Sequence, residues 1–228
     1  MRYATSPEWV SRRNLQTAAA AASPKSPLSP LRPRRVAAIA LPAWRHDGRR
    51  DGRTMSAMPG QERPAGSSVK LTYDDFVHFP DDGQRHELID GEHYVTPSPN
   101  TKHQRVSMNL SYMIRAWLDA HPIGEVFHAP YDVVLSDVDV VEPDIVYVSN
   151  ERAAQVVTPL HVRGVPELVV EIASKATRKR DETIKRRLYE RAGVSEYWTV
   201  DPANEVVRLY AREGDRFGRP IERSRAAG

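Results

Sequence analysis

One carboxylate interrupts an otherwise apolar stretch of the chain, the segment 168–172 with the sequence Leu-Val-Val-Glu-Ile. A nearly continuous apolar run of this length is typical of a central strand that is buried on both faces. Burying a charge without a partner costs several kcal/mol, so Glu171 is expected to be paired, protonated or bound to a metal. The sequence therefore predicts a sheet with an acidic residue inside it.

A second acid lies next to a proline in another predicted strand, at residues 140–148. A proline inside a strand is tolerated only at an edge or a bulge, so Pro143 predicts a local bend that turns Asp144 out of the regular ladder. In a mixed sheet flanked by helices, ligands bind where central strands end or diverge, and we expect Asp144 and Glu171 to converge there. Two carboxylates form an oxygen-rich site for Mg²⁺ or Mn²⁺, the chemistry that phosphodiester hydrolysis uses.

The pattern from residue 69 onward predicts an α/β fold with a mixed sheet. The predicted order of the core is helix, three strands, helix and strand. Within the second helix, Ile184, Leu188 and Tyr189 are expected to face inward. The predicted elements are a short helix after Thr72, a hairpin turning at Asp90-Gly91, a helix over 101–120, strands over 125–135, 140–148 and 167–172, a helix over 178–192 closed by Gly193, and strands over 196–200 and 206–211.

Lys185 is the candidate cation for the acidic site, because it lies one helical turn after Asp181 and is expected to point toward the sheet. A lysine there would orient a water molecule and offset developing negative charge. An alternative is that Asp181 and Lys185 form an ordinary surface ion pair, worth about 0.3–0.5 kcal/mol. Likewise, Glu171 could be a structural acid paired with Lys175 or Arg178.

The chain of 228 residues contains no cysteine. This excludes disulfides, thiolate zinc sites and a cysteine nucleophile, so any metal must bind oxygen or imidazole. It also suits a reducing compartment, and no apolar run approaches the roughly 20 residues of a membrane-spanning helix. We therefore expect a soluble, cytoplasmic protein.

The basic charge is concentrated at the start of the chain. Residues 1–66 hold 12 Lys and Arg against 4 Asp and Glu, whereas the 21 basic and 26 acidic residues that follow give a net charge of −5. The first 66 residues are interpreted as a disordered basic leader that binds nucleic acid, as a transit peptide, or as a mis-annotated start that precedes initiation at Met55 or Met58. The folded domain is predicted at 67–212 and a flexible tail at 213–228.

Several motifs occur in order along the chain: Glu-Leu-Ile-Asp-Gly-Glu at 87–92, His103, Pro143-Asp144, Glu171-Ile172-Ala173-Ser174, Arg-Asp-Glu-Thr-Ile-Lys at 180–185, and the run from Ala192 to Pro202. Together they resemble the Uma2 family of restriction-endonuclease-like proteins, within the PD-(D/E)XK nuclease superfamily. The resemblance covers residues 70–212 and implies a restriction-endonuclease-like core, a mixed central sheet flanked by helices with an N-terminal hairpin added. It also implies a Mg²⁺- or Mn²⁺-dependent endonuclease acting on DNA.

By this resemblance, Asp144 and Glu171 are the metal ligands, and Glu87, His103 and Asp181 border the site. The superfamily pattern has a lysine two residues after the second acid, where this chain has Ala173. The resemblance therefore implies that Lys185 supplies the cation from the next helix. The alternative is a catalytically inactive module of the same fold that binds nucleic acid or protein.

Two of the border residues also have simpler interpretations, since His103 could cap or pack a helix and Glu87 could pair with Arg85. A basic cluster on the second helix, taken here as Arg178, Lys179, Arg180 and Arg186, is predicted to contact a DNA backbone, with a solvated helix face as the alternative. Because cutting both strands of a duplex usually needs two sites, a homodimer is expected.

Overall fold

The computed structural model describes residues 69–174 and 177–224. The segment 1–66, interpreted above as a basic leader or a mis-annotated start, lies outside the described residues, as does Lys175. No helix within these two ranges is both long enough and apolar enough to cross a membrane.

The described residues form five α-helices, one π-helical segment and twelve strands. The helices are α1 (Tyr73–Phe76), α2 (Thr101–Ala120), α3 (Asn150–Val156), α4 (Arg178–Arg180) and α5 (Arg186–Ala192), and a π-helical segment (Asp181–Lys185) joins α4 to α5. The strands are β1 (Arg85–Ile89), β2 (Glu92–Thr96), β3 (Gly124–His128), β4 (Val133–Ser136), β5 (Asp139–Val141), β6 (Ile145–Ser149), β7 (Val162–Arg163), β8 (Leu168–Ile172), β9 (Glu196–Asp201), β10 (Val206–Glu213), β11 (Arg216–Phe217) and β12 (Ile221–Ser224).

The strands form two sheets. The larger has the order β11-β10-β9-β8-β6-β3, with β12 also paired to β10, and the smaller has the order β2-β1-β5-β4-β7. In the larger sheet β8 runs parallel to β9 and antiparallel to β6, so the sheet is mixed. The succession α2, β3, β6, β8, α4 to α5 and β9 confirms the predicted core of helix, three strands, helix and strand.

The N-terminal hairpin is confirmed, with β1 antiparallel to β2. Its two turn residues, Asp90 and Gly91, have φ angles of 54° and 75°, the left-handed region that this type of tight turn requires. A Cβ atom on Gly91 would lie 2.6 Å from the Cβ of Lys70, so glycine also leaves room for the preceding chain. The hairpin fixes the position of Arg85 and Glu87 on β1.

Helix α2 is the predicted amphipathic helix. The Asn100 side chain caps it by accepting a hydrogen bond from the backbone N–H of His103 at 3.0 Å. Its apolar face packs against one side of the larger sheet through Val106, Leu110, Ile114 and Leu118. Because His103 belongs to the first turn on this same buried side, its ring points toward the sheet.

The prediction of single strands at 125–135 and 140–148 is wrong, since each divides between the two sheets. Strands β3 and β6 belong to the larger sheet, whereas β4 and β5 belong to the smaller one. Pro143 lies at the crossing between β5 and β6, where the missing N–H breaks the ladder. The predicted bend is therefore present, and Asp144 lies at the point where the chain changes sheets.

The helix predicted at 178–192 is present, with Gly193 closing it at a φ of 95°. Leu188 and Tyr189 are buried as predicted, but Ile184 is 37% exposed and that part of the prediction is wrong. The π-helical segment changes which side chains face inward. Its buried residues are Asp181 and Lys185, whereas Ile184 is turned toward solvent. A π-helical turn of this kind is frequent at functional sites.

Some elements were absent from the sequence-based prediction. The segment between β6 and β8, where the sequence predicts no helix or strand, contains α3 and β7. The flexible tail predicted at 213–228 is also corrected, because β11 and β12 both pair with β10 and regular structure continues to Ser224.

Candidate active site

A cavity of about 240 Å³ lies between the start of α2, the end of β8 and the π-helical segment. A second cavity of about 370 Å³ adjoins it and shares Asn100, His103 and Ser174. Glu87 is fully buried next to the first cavity and contacts Lys185. The charged and imidazole side chains that line the first cavity are Arg85, His103, Asp144, Glu171, Arg180, Asp181 and Lys185.

Asp144 is held by three donors. Its Oδ2 accepts a hydrogen bond from the backbone N–H of Ile172 at 2.7 Å, and the Nε2 atom of His103 lies 3.2 Å from the same oxygen. Its Oδ1 accepts from Nη1 of Arg85 at 2.9 Å. Although burial opposes ionisation, these contacts keep the pKa of Asp144 below its ordinary value. Asp144 is therefore an ionised carboxylate fixed beside the end of β8.

Glu171 and Lys185 are in direct contact, although they come from different elements. The Nζ atom of Lys185 donates to Oε1 of Glu171 at 2.9 Å, and the Tyr189 hydroxyl donates to the same oxygen at 2.7 Å. Among the described residues, none donates to Oε2 of Glu171. Lys185 from the π-helical segment thus contacts Glu171, two residues before Ala173, which is the position where the superfamily pattern has a lysine.

Lys185 is also paired with Glu87, whose Oε1 lies 2.7 Å from Nζ. Arg180 contacts the other oxygen of Glu87 at 3.5 Å, and these two cations lower the pKa of Glu87 despite its complete burial. Burial alone would lower the pKa of Lys185, but Glu171 and Glu87 raise it above its ordinary value. Lys185 is therefore an ammonium ion that holds its proton at neutral pH.

The interpretation of Asp181 and Lys185 as a surface ion pair is wrong, because each side chain lies in the interior with an exposed fraction of 2%. The π-helical segment carries both of them on its buried side. The Tyr197 hydroxyl from β9 donates to the backbone carbonyl of Asp181 at 3.0 Å and fixes this segment to the sheet. Burial raises the pKa of Asp181.

The remaining simple interpretations have different outcomes. Arg178 does not pair with Glu171, since its guanidinium donates to Asp201 at 2.8 Å. Arg85 contacts Asp144 and Glu142, so the proposed pairing of Glu87 with Arg85 is replaced by the pairs with Lys185 and Arg180. His103 is part of the helix cap through its backbone, and its ring contacts Asp144.

Three site residues were missed by sequence reasoning. Arg85 and Glu142 are joined by an ion pair of 2.7 Å, and the Arg85 guanidinium also donates to the Glu142 carbonyl oxygen. Tyr189 was recognised as an inward residue but not as the hydrogen-bond donor to Glu171. Only Glu142 carried a local signal, its position beside the strand-breaking proline. The contact between Arg85 and Asp144 joins residues 59 positions apart, and no local pattern encodes it.

The four basic residues predicted to contact DNA occupy different surroundings. Arg180 lines the first cavity and pairs with Glu87, and Arg178 lines the second cavity while pairing with Asp201. Lys179 is exposed, and the guanidinium of Arg186 lies 5.6 Å from the centre of the Tyr210 ring. Within the described residues, Lys179 and Arg186 line neither cavity.

The site has more carboxyl groups than cationic side chains. The carboxyl groups are those of Glu87, Glu142, Asp144, Glu171 and Asp181, and the cations are Arg85, Arg180 and Lys185. Burial raises the pKa of Glu171 from its ordinary value of 4.5 to about 8, and nearby carboxylates, Asp181 first among them, add to the increase. Burial likewise raises the pKa of Glu142 to about 7. The excess negative charge thus favours the protonated forms of Glu171 and Glu142.

A divalent cation fits this surplus of negative charge. Asp144 and Glu171 both line the cavity, and Mg²⁺ characteristically binds through one or two carboxylates while water and substrate phosphates complete its shell. No group of three or more His, Asp or Glu within the described parts of the chain is arranged to hold a metal by itself. The donor set therefore suits a cation that shares its shell with water and substrate.

In EDTA, the contribution of Glu171 to the free energy of unfolding is expected to depend on pH. Its raised pKa means that this contribution is complete below about pH 4.5 and is lost as the pH rises through about 8. Glu171→Gln should remove this loss, whereas Glu151→Gln at an exposed position should retain it. Urea denaturation across this pH range measures the effect, and equal profiles for Glu171→Gln and the parent protein would contradict it.

The mixed sheet, its flanking helices and the carboxylate–lysine cluster define a restriction-endonuclease-like α/β protein. The model of the Uma2 family, described as "Putative restriction endonuclease", matches residues 73–225, and the chain belongs to this family. None of the curated proteins compared matches the chain.

The chain is also similar to a solved structure, that of a "putative nuclease belonging to DUF820" from Anabaena variabilis ATCC 29413. The two share 19% sequence identity with a TM-score of 0.57, over 67% of this chain and 83% of the other. This similarity supports the fold.

Proposed function

We propose that the protein is a metal-dependent endonuclease that hydrolyses phosphodiester bonds in DNA. Asp144 and Glu171 would hold Mg²⁺ or Mn²⁺, and Lys185 would act beside them. When bound, the cation supplies Lewis acidity, lowering the pKa of a water molecule and offsetting charge on the phosphate. Family membership and the chemistry of the donor set support this assignment.

The observation that carries the proposal is the burial of Lys185 between Glu87 and Glu171, in the cavity that Asp144 also lines. Burying a lysine costs free energy unless carboxylates compensate for it, so an arrangement of this kind is typical of a functional site. Because its pKa is raised, Lys185 does not accept a proton from water at neutral pH. Its role is to donate a hydrogen bond and to offset negative charge that develops on the phosphate.

Substrate binding would use both cavities. The second cavity continues from the first past His103 and brings Lys102 and Arg178 to its lining, so a nucleic-acid strand in the first cavity would pass basic groups in the second. Contacts of this kind read the backbone rather than the base sequence. A homodimer remains part of the proposal, since two sites related by a twofold axis would cut both strands of a duplex.

A plasmid-nicking assay tests the proposal. Supercoiled plasmid incubated with the full chain and Mg²⁺ or Mn²⁺ is expected to become nicked or linear. EDTA should abolish the reaction, because Asp144 and Glu171 would then lack the cation. Cleavage that persists in EDTA would contradict the assignment.

The second candidate is a catalytically inactive module that binds nucleic acid or protein. One observation favours it: both oxygens of Asp144 already have partners within the protein. Calorimetric titration with Mn²⁺ separates the two candidates. No detectable Mn²⁺ binding, together with DNA binding that Glu171→Ala leaves unchanged, would favour the module.

A further inference from the structure

Arg85 pairs with Asp144, the carboxylate proposed to hold the cation, inside the cavity. Its side chain is 16% exposed and lines the cavity together with Asp144, Glu171 and Lys185. Its Nη1 atom binds Oδ1 of Asp144 at 2.9 Å, and Glu142 binds the Nε side of the guanidinium at 2.7 Å. The guanidinium thus bridges the two acids on either side of Pro143.

The two oxygens of Asp144 are not equivalent. Oδ2 accepts from the backbone N–H of Ile172 and is in contact with His103, so it is bound to rigid elements of the fold. Oδ1 is bound by a side chain alone, that of Arg85. A cation would therefore approach Asp144 at Oδ1, and two positive charges at one oxygen repel each other strongly in a partly buried site.

We propose that Arg85 exchanges partners during the reaction: it neutralises Asp144 in the metal-free protein and donates to a phosphate oxygen of the substrate once a cation is bound. The inference rests on the proposed function, because it assigns a residue of the same site. Arg85 is then a catalytic residue that contacts substrate, in addition to Lys185.

The chemistry of the guanidinium supports this exchange. Arginine carries five N–H donors in a planar fork that matches the oxygens of a phosphate as well as those of a carboxylate. The contacts with Glu142 hold the Nε and Nη2 atoms, so Nη1 can change partner while the rest of the group stays at the cavity. Displacement of Arg85 from Asp144 also leaves a positive charge facing the substrate.

The test compares Arg85→Gln and Arg85→Lys with the parent protein in Mn²⁺ calorimetry and plasmid nicking. Arg85→Gln is expected to bind Mn²⁺ at least about tenfold more tightly, since the competing charge is gone. It should cleave at least about a hundredfold more slowly, the usual cost of removing one donor to developing charge. Arg163→Gln, which removes a half-exposed arginine on β7, is the matched control and should change neither quantity.

Arg85→Lys keeps the positive charge but loses the planar fork. It should bind Mn²⁺ like the parent protein and still cleave more slowly. Thermal unfolding shows whether each variant is folded. If Arg85→Gln does not fold, the comparison of Arg85→Lys with the parent protein is used instead. Parental cleavage by Arg85→Lys would then overturn the phosphate contact.

The outcomes separate this inference from the nuclease proposal. Unchanged or weaker Mn²⁺ binding by folded Arg85→Gln would overturn the competition at Asp144, even if the parent protein cleaves plasmid. Tighter binding without any cleavage by the parent would overturn the nuclease assignment and the phosphate contact, while supporting the competition. If the parent binds no Mn²⁺, both are overturned.

Discussion

Replacing Lys185 with methionine is expected to lower the free energy of unfolding by about 3–5 kcal/mol, the usual effect of breaking a buried ion pair from one side. Methionine is similar to lysine in length, so the change removes the charge more than the packing. Glu87 would then be a buried carboxylate with Arg180 as its remaining cation. Urea denaturation at pH 7 in EDTA measures the loss.

An exposed ion pair provides the control for this variant. Arg115 pairs with Asp119, four residues later on α2, and 66% of the arginine side chain is exposed. Arg115→Met should cost less than about 1 kcal/mol, as exposed pairs do. The double variant Lys185→Met with Glu87→Gln should recover part of the loss, because Glu87 is then no longer a buried carboxylate that has lost Lys185. An equally small effect at Lys185 and Arg115 would contradict the buried network.

Asp144→Asn is expected to slow plasmid cleavage by about a thousandfold or more. Stabilisation of several kcal/mol by a bound cation corresponds to about tenfold for each 1.4 kcal/mol, and asparagine removes the charge that would hold the cation. The side chain keeps its size and can still contact the backbone of Ile172. Initial rates of nicking in Mg²⁺ and in Mn²⁺ provide the measurement, with thermal unfolding as the check on folding.

Asp119→Asn is the matched control for this loss, since it neutralises an exposed acid on α2. It should cleave at the parental rate. A rate for Asp144→Asn within about tenfold of the parent would show that Asp144 does not hold the cation.

The parts of the fold that sequence reasoning predicted are those with local signals. The Asp90-Gly91 turn, the apolar periodicity of α2 and the terminal Gly193 each depend on neighbouring residues alone. The unusual carboxylate of β8 was visible for the same reason, because Glu171 contrasts with the apolar residues around it. These signals predicted the helix–strand order of the core.

The parts that were missed depend on long-range contacts. Apolar residues lie on both sides of Glu142-Pro143-Asp144, so the sequence predicts one bent strand where the chain changes sheets between β5 and β6. A regular α-helix would place Ile184 in the interior, whereas the π-helical segment places Asp181 and Lys185 there. Arg85 enters the site only because the hairpin packs beside the β5–β6 crossing, which no local pattern indicates.

The site that results combines residues from four parts of the chain. Strand β1 provides Arg85 and Glu87, the sheet crossing provides Asp144, β8 provides Glu171, and the π-helical segment provides Lys185. The buried charges on these elements hold one another in place, so the same contacts that stabilise the fold also arrange the donors. Removing the charge of any one of them is therefore expected to affect both stability and cation binding.

Anomalous diffraction from crystals soaked in Mn²⁺ tests the central claim most directly. We expect an anomalous peak in the cavity lined by Asp144 and Glu171, with the Arg85 guanidinium displaced from Asp144. A peak that appears only elsewhere, or no peak while Arg85 remains on Asp144, would contradict the account.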